Sequence, residues 1–307
     1  MITGIPLVDV VRSGLVESVH SGHLVVLDAV ELGHPRHPLF PRSSNKPLQA
    51  VGMRRLGLDV PPQHLALAAA SHSGEAVHVA GVRAMLASGE FGEGDLGCPP
   101  AWSLDETASR TWPEPRRITM NCSGKHAAML LTCRQNGWPT KSYLEPDHPL
   151  HRSLRATVED LAEERVAAVG VDGCGAPLFA LSLVGLARAY RRIATAQAGP
   201  ERDVADAMRA YPELVAGTGR AASRLMAGIP GLIAKDGAEG VFAAALPDGT
   251  AVAVKIDDGA QRAAERAAVA GLRTVTAAAP VLEELATAVV LGGGEPVGEI
   301  RFRSGLL

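Results

Sequence analysis

Aromatic side chains are scarce, with phenylalanine, tryptophan and tyrosine making up 4% of the 307 residues. The core must therefore be built from alanine, valine, leucine and glycine. A nucleic-acid surface made of stacking platforms has too few rings to form. A basic excess is missing too. The formal charge is −3, whereas a nucleic-acid binder usually carries net positive charge. The arginine pairs at 116–117 and 191–192 are too few for a phosphate track and read as solvated helix ends. No apolar run approaches the roughly 20 residues of a membrane span; each is broken early by Gly, Pro or charge. The opening residues, MITGIPLVDVVRSG, lack a basic stretch followed by an apolar run and a cleavage site. Cysteine is sparse: Cys98, Cys122, Cys133 and Cys174, irregularly spaced. With no export signal, these read as free or metal-bound thiols in a cytoplasmic protein rather than as disulfides.

What remains is an ordinary soluble composition, 47% hydrophobic and 21% charged, long enough for a sizeable core. The first 30 residues alternate and predict an antiparallel meander, with Ser-Gly turns at 13–14 and 21–22. After a proline-rich loop the period becomes helical, from NKPLQAVGMRRLG through AVHVAGVRAMLASG. Gly, Pro and Trp cluster at 91–118, a long irregular segment of the kind that tends to face substrates or partners. Helical pattern returns from 124 to about 195, broken by EPDHPLH and VDGCGAP, and again over 200–229. Three strand units follow, with Asp-Gly turns at 236–237, 248–249 and 258–259. Helices over 260–276 and 280–290 precede a terminal strand, GEIRFRS. This order is not the alternating rhythm of a doubly wound sheet. It predicts an α+β fold: one antiparallel sheet made from both chain ends, with helices between. The chain reads as a single catalytic unit of two lobes, a sheet lobe at about 1–40 and 230–307 and a helical lobe at about 41–229.

Several stretches could carry chemistry. In RSSNKPLQA, Ser43 and Lys46 stand three apart, on one face of a helix. A lysine can deprotonate a serine when burial or a nearby cation lowers its pKa; Arg42 is such a neighbour. The same stretch also reads as a polar helix start. AAASHSGE presents Ser71, His72 and Ser73 where an apolar run ends, either into a cleft or as a helix cap with Glu75 in the first turn. In MNCSGKHAAMLL, Cys122 and Lys125 open an apolar helix. A thiol there has its pKa lowered and could act as a nucleophile or a soft metal ligand; it could equally be a buried cysteine beside a cap. Cys174 lies between two glycines, with Asp172 just before. Two cysteines on separate loops could share a zinc ion, which accepts S, N and O ligands. Lys255, on an alternating strand beside the small residues Ala251 and Ala253, could reach a cleft or could be a solvated edge lysine. Arg220, after VAGTG, offers a carboxylate fork, or the glycines merely end a helix.

Taken in order, PRSSNKPLQA, SHSGE, NCSGKHAAML, DHPLH, VDGCGAP and VAGTGR closely resemble the asparaginase II family, the inducible type of L-asparaginase. The likeness runs from about residue 5 to about 300. It implies a fold like the serine β-lactamases, penicillin-binding proteins and glutaminases. It implies hydrolysis of L-asparagine to L-aspartate and ammonia, a homodimer, and a zinc site near the catalytic serine. Carried over by motif, Ser43 is the nucleophile and Lys46 its base. The second Ser–Lys pair becomes Ser71 with Lys255, with Ser73 as the alternative serine. Zinc ligands become Cys122, Lys125 and Cys174, supported by Asp172. Arg42, His72, Ser73, Glu75 and Arg220 are the groups left to grip the substrate. Two other readings remain: a peptidase or β-lactam hydrolase on the same scaffold, and a zinc-binding relative without catalysis. Against the first, Lys255 is followed by Ile-Asp-Asp-Gly rather than by the Thr-Gly of a K-T-G motif.

Overall fold

A computed structural model describes residues 3–276 and 278–307. Strand β1 (Ile5–Arg12) and strand β2 (Leu15–Val26) form an antiparallel hairpin. Ser13 and Gly14 both take positive φ, 49° and 84°, the turn geometry that joins twisted strands in two residues. The expected turn at Ser21-Gly22 is absent, and β2 runs straight through it. A Cβ on Gly22 would fall 2.3 Å from the Lys255 carbonyl oxygen. The glycine there permits close strand contact rather than reversal. Strand β3 (Val30–Leu32) completes the meander against the end of β2.

A 3-10 turn at Arg42–Asn45 then runs into helix α1 (Lys46–Arg55), followed by α2 (Pro62–Ala68) and α3 (Ala76–Ser88). The segment 91–118 stays mostly irregular. It contains a 3-10 turn at Glu93–Asp95 and the single helical turn α4 (Glu106–Ser109), and an Ala101–Arg116 bridge closes it. Helices α5 (Ser123–Gln135) and α6 (Pro149–Ala162) come next. The VDGCGAP interruption proves to be the loop of a small hairpin, β4 (Val169–Val171) with β5 (Pro177–Phe179). Helices α7 (Leu183–Thr195), α8 (Gly199–Ala210), α9 (Pro212–Val215) and α10 (Ala221–Gly228) complete the helical part.

Period two then returns as β6 (Ile233–Gly237), β7 (Val241–Ala245) and β8 (Ala251–Ile256), all antiparallel neighbours. Chain reversals at Asp248-Gly249 and Asp258-Gly259 fall where the sequence puts them. The first reversal does not. Asp236-Gly237 ends β6, and the turn falls later, at Glu239-Gly240, both with positive φ. Helix α11 (Gln261–Arg273) and helix α12 (Pro280–Ala286) follow. The helix expected over 280–290 stops at Ala286; the β-branched Thr287, Val289 and Val290 then carry strand β9 (Thr287–Gly292). Strand β10 (Glu295–Phe302) ends the fold.

The large sheet runs β6-β7-β8-β2-β1-β10-β9, with β3 also on β2, and every pairing is antiparallel. Because β1 pairs with β10 (Val8 opposite Phe302), both chain ends build one sheet. Strand β6 lies at one edge of the sheet. The 3-10 turn at Arg42–Asn45 packs on it, which places the start of α1 against the end of the sheet. The core is made of small and branched aliphatics. Ala263, Ala264, Ala267 and Ala268 of α11 are fully buried, as are Ala243, Ala244, Ala251 and Ala253 of the strands beneath. Gly271 of α11 lies close against Val252 of β8 and Val26 of β2. Among the described residues, no helix is long and apolar enough to cross a membrane.

Candidate active site

The 3-10 turn carries Arg42 and Ser43 and Lys46 opens α1, but Ser43 is not among the hydrogen-bond partners of Lys46. Pro47 stands in the first turn of α1, where a missing N–H costs nothing and the fixed φ favours the helix. Arg42 has φ +51°, a left-handed conformation rarely taken outside glycine. Its Nε donates to Asp172 Oδ1 at 2.9 Å. Ser43 is half-buried, while Lys46 is 1% exposed. Lys46 Nζ lies 2.8 Å from the Ala70 carbonyl oxygen, 2.7 Å from Ser71 Oγ and 3.0 Å from Cys122 Sγ. One amine thus joins α1, the loop after α2 and the start of α5.

The 71–75 loop separates into parts. The Ser71 hydroxyl faces Lys46. Ser73 Oγ donates to the Ala216 carbonyl instead, so Ser71 is the serine of this loop that meets a lysine. His72 is fully buried and stacks on His78 with ring centroids 5.1 Å apart. Its Nδ1 accepts from Gly74 N–H, and its Nε2 lies 2.9 Å from Ser123 Oγ. Burial first, then His78, Lys46 and Arg220, push its pKa well below the usual value. A neutral ring with both nitrogens engaged is a pillar of the loop and has no free atom to grip a substrate. Glu75 accepts from the Thr218 N–H at 2.9 Å and the Thr218 hydroxyl at 2.8 Å. It pins the 216–220 loop. Arg220 is likewise engaged: Nη1 donates to the Ser71 carbonyl at 2.7 Å and to the Ala216 carbonyl at 3.2 Å, and Nη2 binds Asp236.

The structure does not bring Lys255 to Ser71. Lys255 Nζ donates to the carbonyls of Glu239 and Ile256 at the far end of β8. Its strand alternation was legible; the position of that strand in the sheet was not. The lysine that does join the cluster is Lys235, on edge strand β6, which the sequence reading passed over. It is fully buried, and its Nζ lies 2.6 Å from Asp236 Oδ1. Burial lowers its pKa to about 8; Asp236 opposes this, while Arg220 and Lys46 add to it. The available signal was the tripeptide Lys235-Asp236-Gly237, a Lys-x-Gly on a strand, as in K-T-G. A Cβ on Gly237 would fall 2.6 Å from the Pro41 carbonyl oxygen and 2.9 Å from Ser44 Oγ. Only glycine lets β6 lie so close to the 3-10 turn.

The β4–β5 hairpin loop carries Asp172 and Cys174 toward α5. Lys125 Nζ lies 3.2 Å from Cys174 Sγ, and Cys122 Sγ donates to Asn121 Oδ1 at 3.2 Å. The neighbouring Cys122 thiol, aided by Lys125 and His126 against burial, holds the Cys174 thiol below its usual pKa, while Cys174 and burial push Cys122 up. Burial disfavours the charge on Lys125, yet the Cys174, Cys122 and Asp172 charges raise its pKa. His126 Nδ1 lies 2.7 Å from the Tyr143 hydroxyl; its Nε2 is buried and makes no hydrogen bond of normal geometry. Among the described residues, no three His, Cys, Asp or Glu side chains are spaced to hold a metal by themselves. The buried sulfurs of Cys122 and Cys174 still form a soft donor pair, and the Lys125 nitrogen, 3.2 Å from Cys174 Sγ, would supply a third donor once deprotonated. Cys98 and Cys133 lie apart from this pair, their thiols pushed up to about 12 by burial. The four cysteines are all free and buried.

A cavity of about 650 Å³ opens elsewhere, beside Val77, Tyr211 and Leu214. It is lined by no lysine, cysteine or histidine, so size does not make it the reactive site. The chemistry gathers around Lys46. The profile of a family described as L-asparaginase II matches residues 8–302. The chain belongs to the L-asparaginase II family. Family membership makes it an amidohydrolase, an L-asparaginase. Among curated proteins none matches the chain.

Proposed function

We propose that the protein hydrolyses the side-chain amide of L-asparagine with Ser43 as nucleophile. The observation that carries this reading is a half-exposed serine one turn ahead of a dehydrated lysine, with Lys46 Nζ set 2.7 Å from a second hydroxyl, Ser71 Oγ. Lys46 takes the Ser43 proton as Oγ attacks the amide carbon. The Ser71 hydroxyl steadies the amine and passes protons to and from it. The tetrahedral oxyanion needs preorganised donors, and the Ser43 backbone N–H is one. Collapse forms an aspartyl ester on Ser43 and releases ammonia, which leaves with the proton held by Lys46. Water, deprotonated by the same lysine, then hydrolyses the ester. Arg42 and Asp172, joined at 2.9 Å at the rim, present a cation and an anion to the zwitterionic end of asparagine.

A zinc ion would be held by Cys122, Cys174 and Lys125, with Asp172 in support. When bound, it would supply positive charge that fixes these loops and the substrate beside Ser43. The scaffold is read as that of serine β-lactamases and glutaminases. Ser43-x-x-Lys46 on a helix start and Lys235-x-Gly237 on an edge strand support this. A homodimer is supported by exposed apolar side chains on the sheet, Val16 and Val19 of β2 with Val289 and Leu291 of β9. Cytoplasmic residence is supported by the four buried free thiols.

The deciding measurement is ammonia release from asparagine by wild type and Ser43→Ala, together with mass spectrometry of a quenched reaction. The expected result is an acyl adduct on the peptide containing Ser43 in wild type, and loss of turnover in the variant. Full activity in Ser43→Ala would reject the serine route. The Lys-x-Gly on β6 also keeps a β-lactam hydrolase in view, and nitrocefin turnover without ammonia release from asparagine would favour it.

A further inference from the structure

Asp236 divides its carboxylate between two cations. Oδ1 accepts from Lys235 Nζ at 2.6 Å, and Oδ2 binds Arg220 Nη2. Each link continues. Arg220 Nη1 donates to the Ser71 carbonyl at 2.7 Å, and the Ser71 hydroxyl lies 2.7 Å from Lys46 Nζ. In the other direction, the Lys235 carbonyl accepts from Ser44 Oγ at 3.1 Å, and Ser44 stands two residues before Lys46. The contacts therefore close on themselves: Lys46, Ser71, Arg220, Asp236, Lys235, Ser44, and through the 3-10 turn back to Lys46. Tyr190 of α7, fully buried, anchors that turn by donating its hydroxyl to the Ser44 carbonyl at 2.9 Å.

The ring holds three basic side chains and one acidic one. Lys46 and Lys235 are both buried, and a buried cation is costly unless it is paired. Lys235 shows its dependence on Asp236 in its shape. Neighbouring side chains on a strand point to opposite faces. The Lys235 ammonium nonetheless turns back to Asp236 and takes its carbonyl, at 2.8 Å, as well as its carboxylate. An ammonium has three donors, and Asp236 engages two of them. Arg220 is oriented in the same way. With Nη2 on Asp236, Nη1 is directed to the carbonyls of Ser71 and Ala216. An asparagine could not do the same work. Its side-chain nitrogen is a donor and would face either the Lys235 ammonium or the Arg220 guanidinium, donor against donor.

We infer that Asp236 is a positioning residue for the amide hydrolysis: by holding Lys235 and Arg220 on one carboxylate, it sets the sheet-edge lysine and the Ser71 loop in register with Lys46. Asp236 acts through these partners and not on the substrate. The inference rests on the reading of Ser43 as nucleophile with Lys46 and Ser71 beside it. A shift of about 1 Å at reacting groups costs on the order of a hundredfold in rate. The grip of Arg42 and Asp172 on the far end of the substrate does not pass through the ring, so the loss belongs to turnover rather than to binding.

Steady-state ammonia release from asparagine by the full chain tests this, with wild type, Asp236→Asn, Arg220→Met and the double variant. Thermal unfolding of each shows that it is folded at the assay temperature. Asp236→Asn should lower kcat by about a hundredfold, with KM within about threefold. Arg220→Met empties the other end of the link and should show the same split. The double variant should be no worse than the poorer single, because both substitutions cut one connection. The inference is overturned if folded Asp236→Asn keeps the wild-type kcat or, where that variant does not fold, if Arg220→Met does. It is also overturned if the loss lies in KM alone, or if the two losses multiply in the double variant. Ser43→Ala, assayed alongside, separates this from the mechanism. An inactive Ser43→Ala beside a fully active Asp236→Asn overturns the inference and leaves the serine reading standing. An active Ser43→Ala overturns that reading, and the inference with it.

Discussion

Lys46 Nζ stands 2.7 Å from Ser71 Oγ, and the Ser71 carbonyl is held by Arg220 at 2.7 Å. The lysine of the Ser-x-x-Lys turn is therefore held against a loop that Arg220 fixes in turn. Loss of that hydroxyl should be felt as chemistry rather than as folding.

Ser71→Ala should lower kcat for asparagine by about 10²–10³, within the range for disturbed acid–base catalysis, with KM little changed. Ser73→Ala removes only a bond to the Ala216 carbonyl and should cost no more than about 1 kcal/mol of stability with near-normal kcat. Steady-state ammonia release separates them. Equal losses would mean that the loop as a whole, not the Lys46 contact, matters.

Lys255→Ala should retain activity within about threefold, since its ammonium serves two carbonyls at a strand end and such positions tolerate change. Lys235→Ala should lose at least about a hundredfold. The reverse pattern would restore Lys255 as the partner of the site.

Lys235 also sets a pH dependence of stability. Its ordinary pKa of 10.5 falls to about 8 in the folded protein. Between those values the unfolded chain binds the extra proton, so the free energy of unfolding rises with pH across that window. Below about pH 8 the buried ammonium opposes folding in full. The gain from pH 8 to 10.5 is on the order of 3 kcal/mol at most. Urea unfolding of wild type and Lys235→Met should differ by this slope. Asp236 acts in the opposite sense. Its pKa is depressed: burial works against this, but Lys235 and Arg220 prevail. The stability it adds is present above its ordinary range and is lost on acidification.

Gly237→Ala should force β6 away from the 3-10 turn, because the new methyl meets the Pro41 carbonyl and Ser44 Oγ. The expected cost is about 1–3 kcal/mol in thermal or denaturant unfolding, with kcat falling further because Ser43 moves with the turn. A variant with wild-type stability and rate would show that the turn yields freely.

Purified protein should carry zinc, and Cys174→Ser should lose most of it while Cys133→Ser retains it. Elemental analysis gives the answer. Equal zinc content in all three would remove the metal from this pair.

The sequence was most legible where a local rule acts alone. Alternation gave the β1–β2 hairpin, and helical spacing placed α1, α3 and α5. It misled where a glycine serves a partner distant in the chain. Gly22 and Gly237 look like turn residues, but each is small because another backbone approaches it. Short elements escaped for lack of a full period, as with β4 and β5. Ser43, Lys46, Cys122, Lys125 and Cys174 stood out only through the ordered set of motifs, not through any one spacing. Lys235 did not. Its importance depends on β6 lying at the sheet edge beside the 3-10 turn, a relation that no stretch of sequence contains. Lys255, four residues before Gly259, had the better local pattern and the wrong neighbours.

The pairing of β1 with β10 also has a consequence for synthesis. During translation β2 can fold onto β1 within moments, since only a two-residue turn separates them. The other side of β1 must wait for residues 295–302, almost the whole length of the chain later. Until then a nascent chain presents an open strand edge, the kind of surface that recruits chaperones or neighbouring copies. A chain that ended before residue 295 would lack β10 and leave that edge of β1 unpaired.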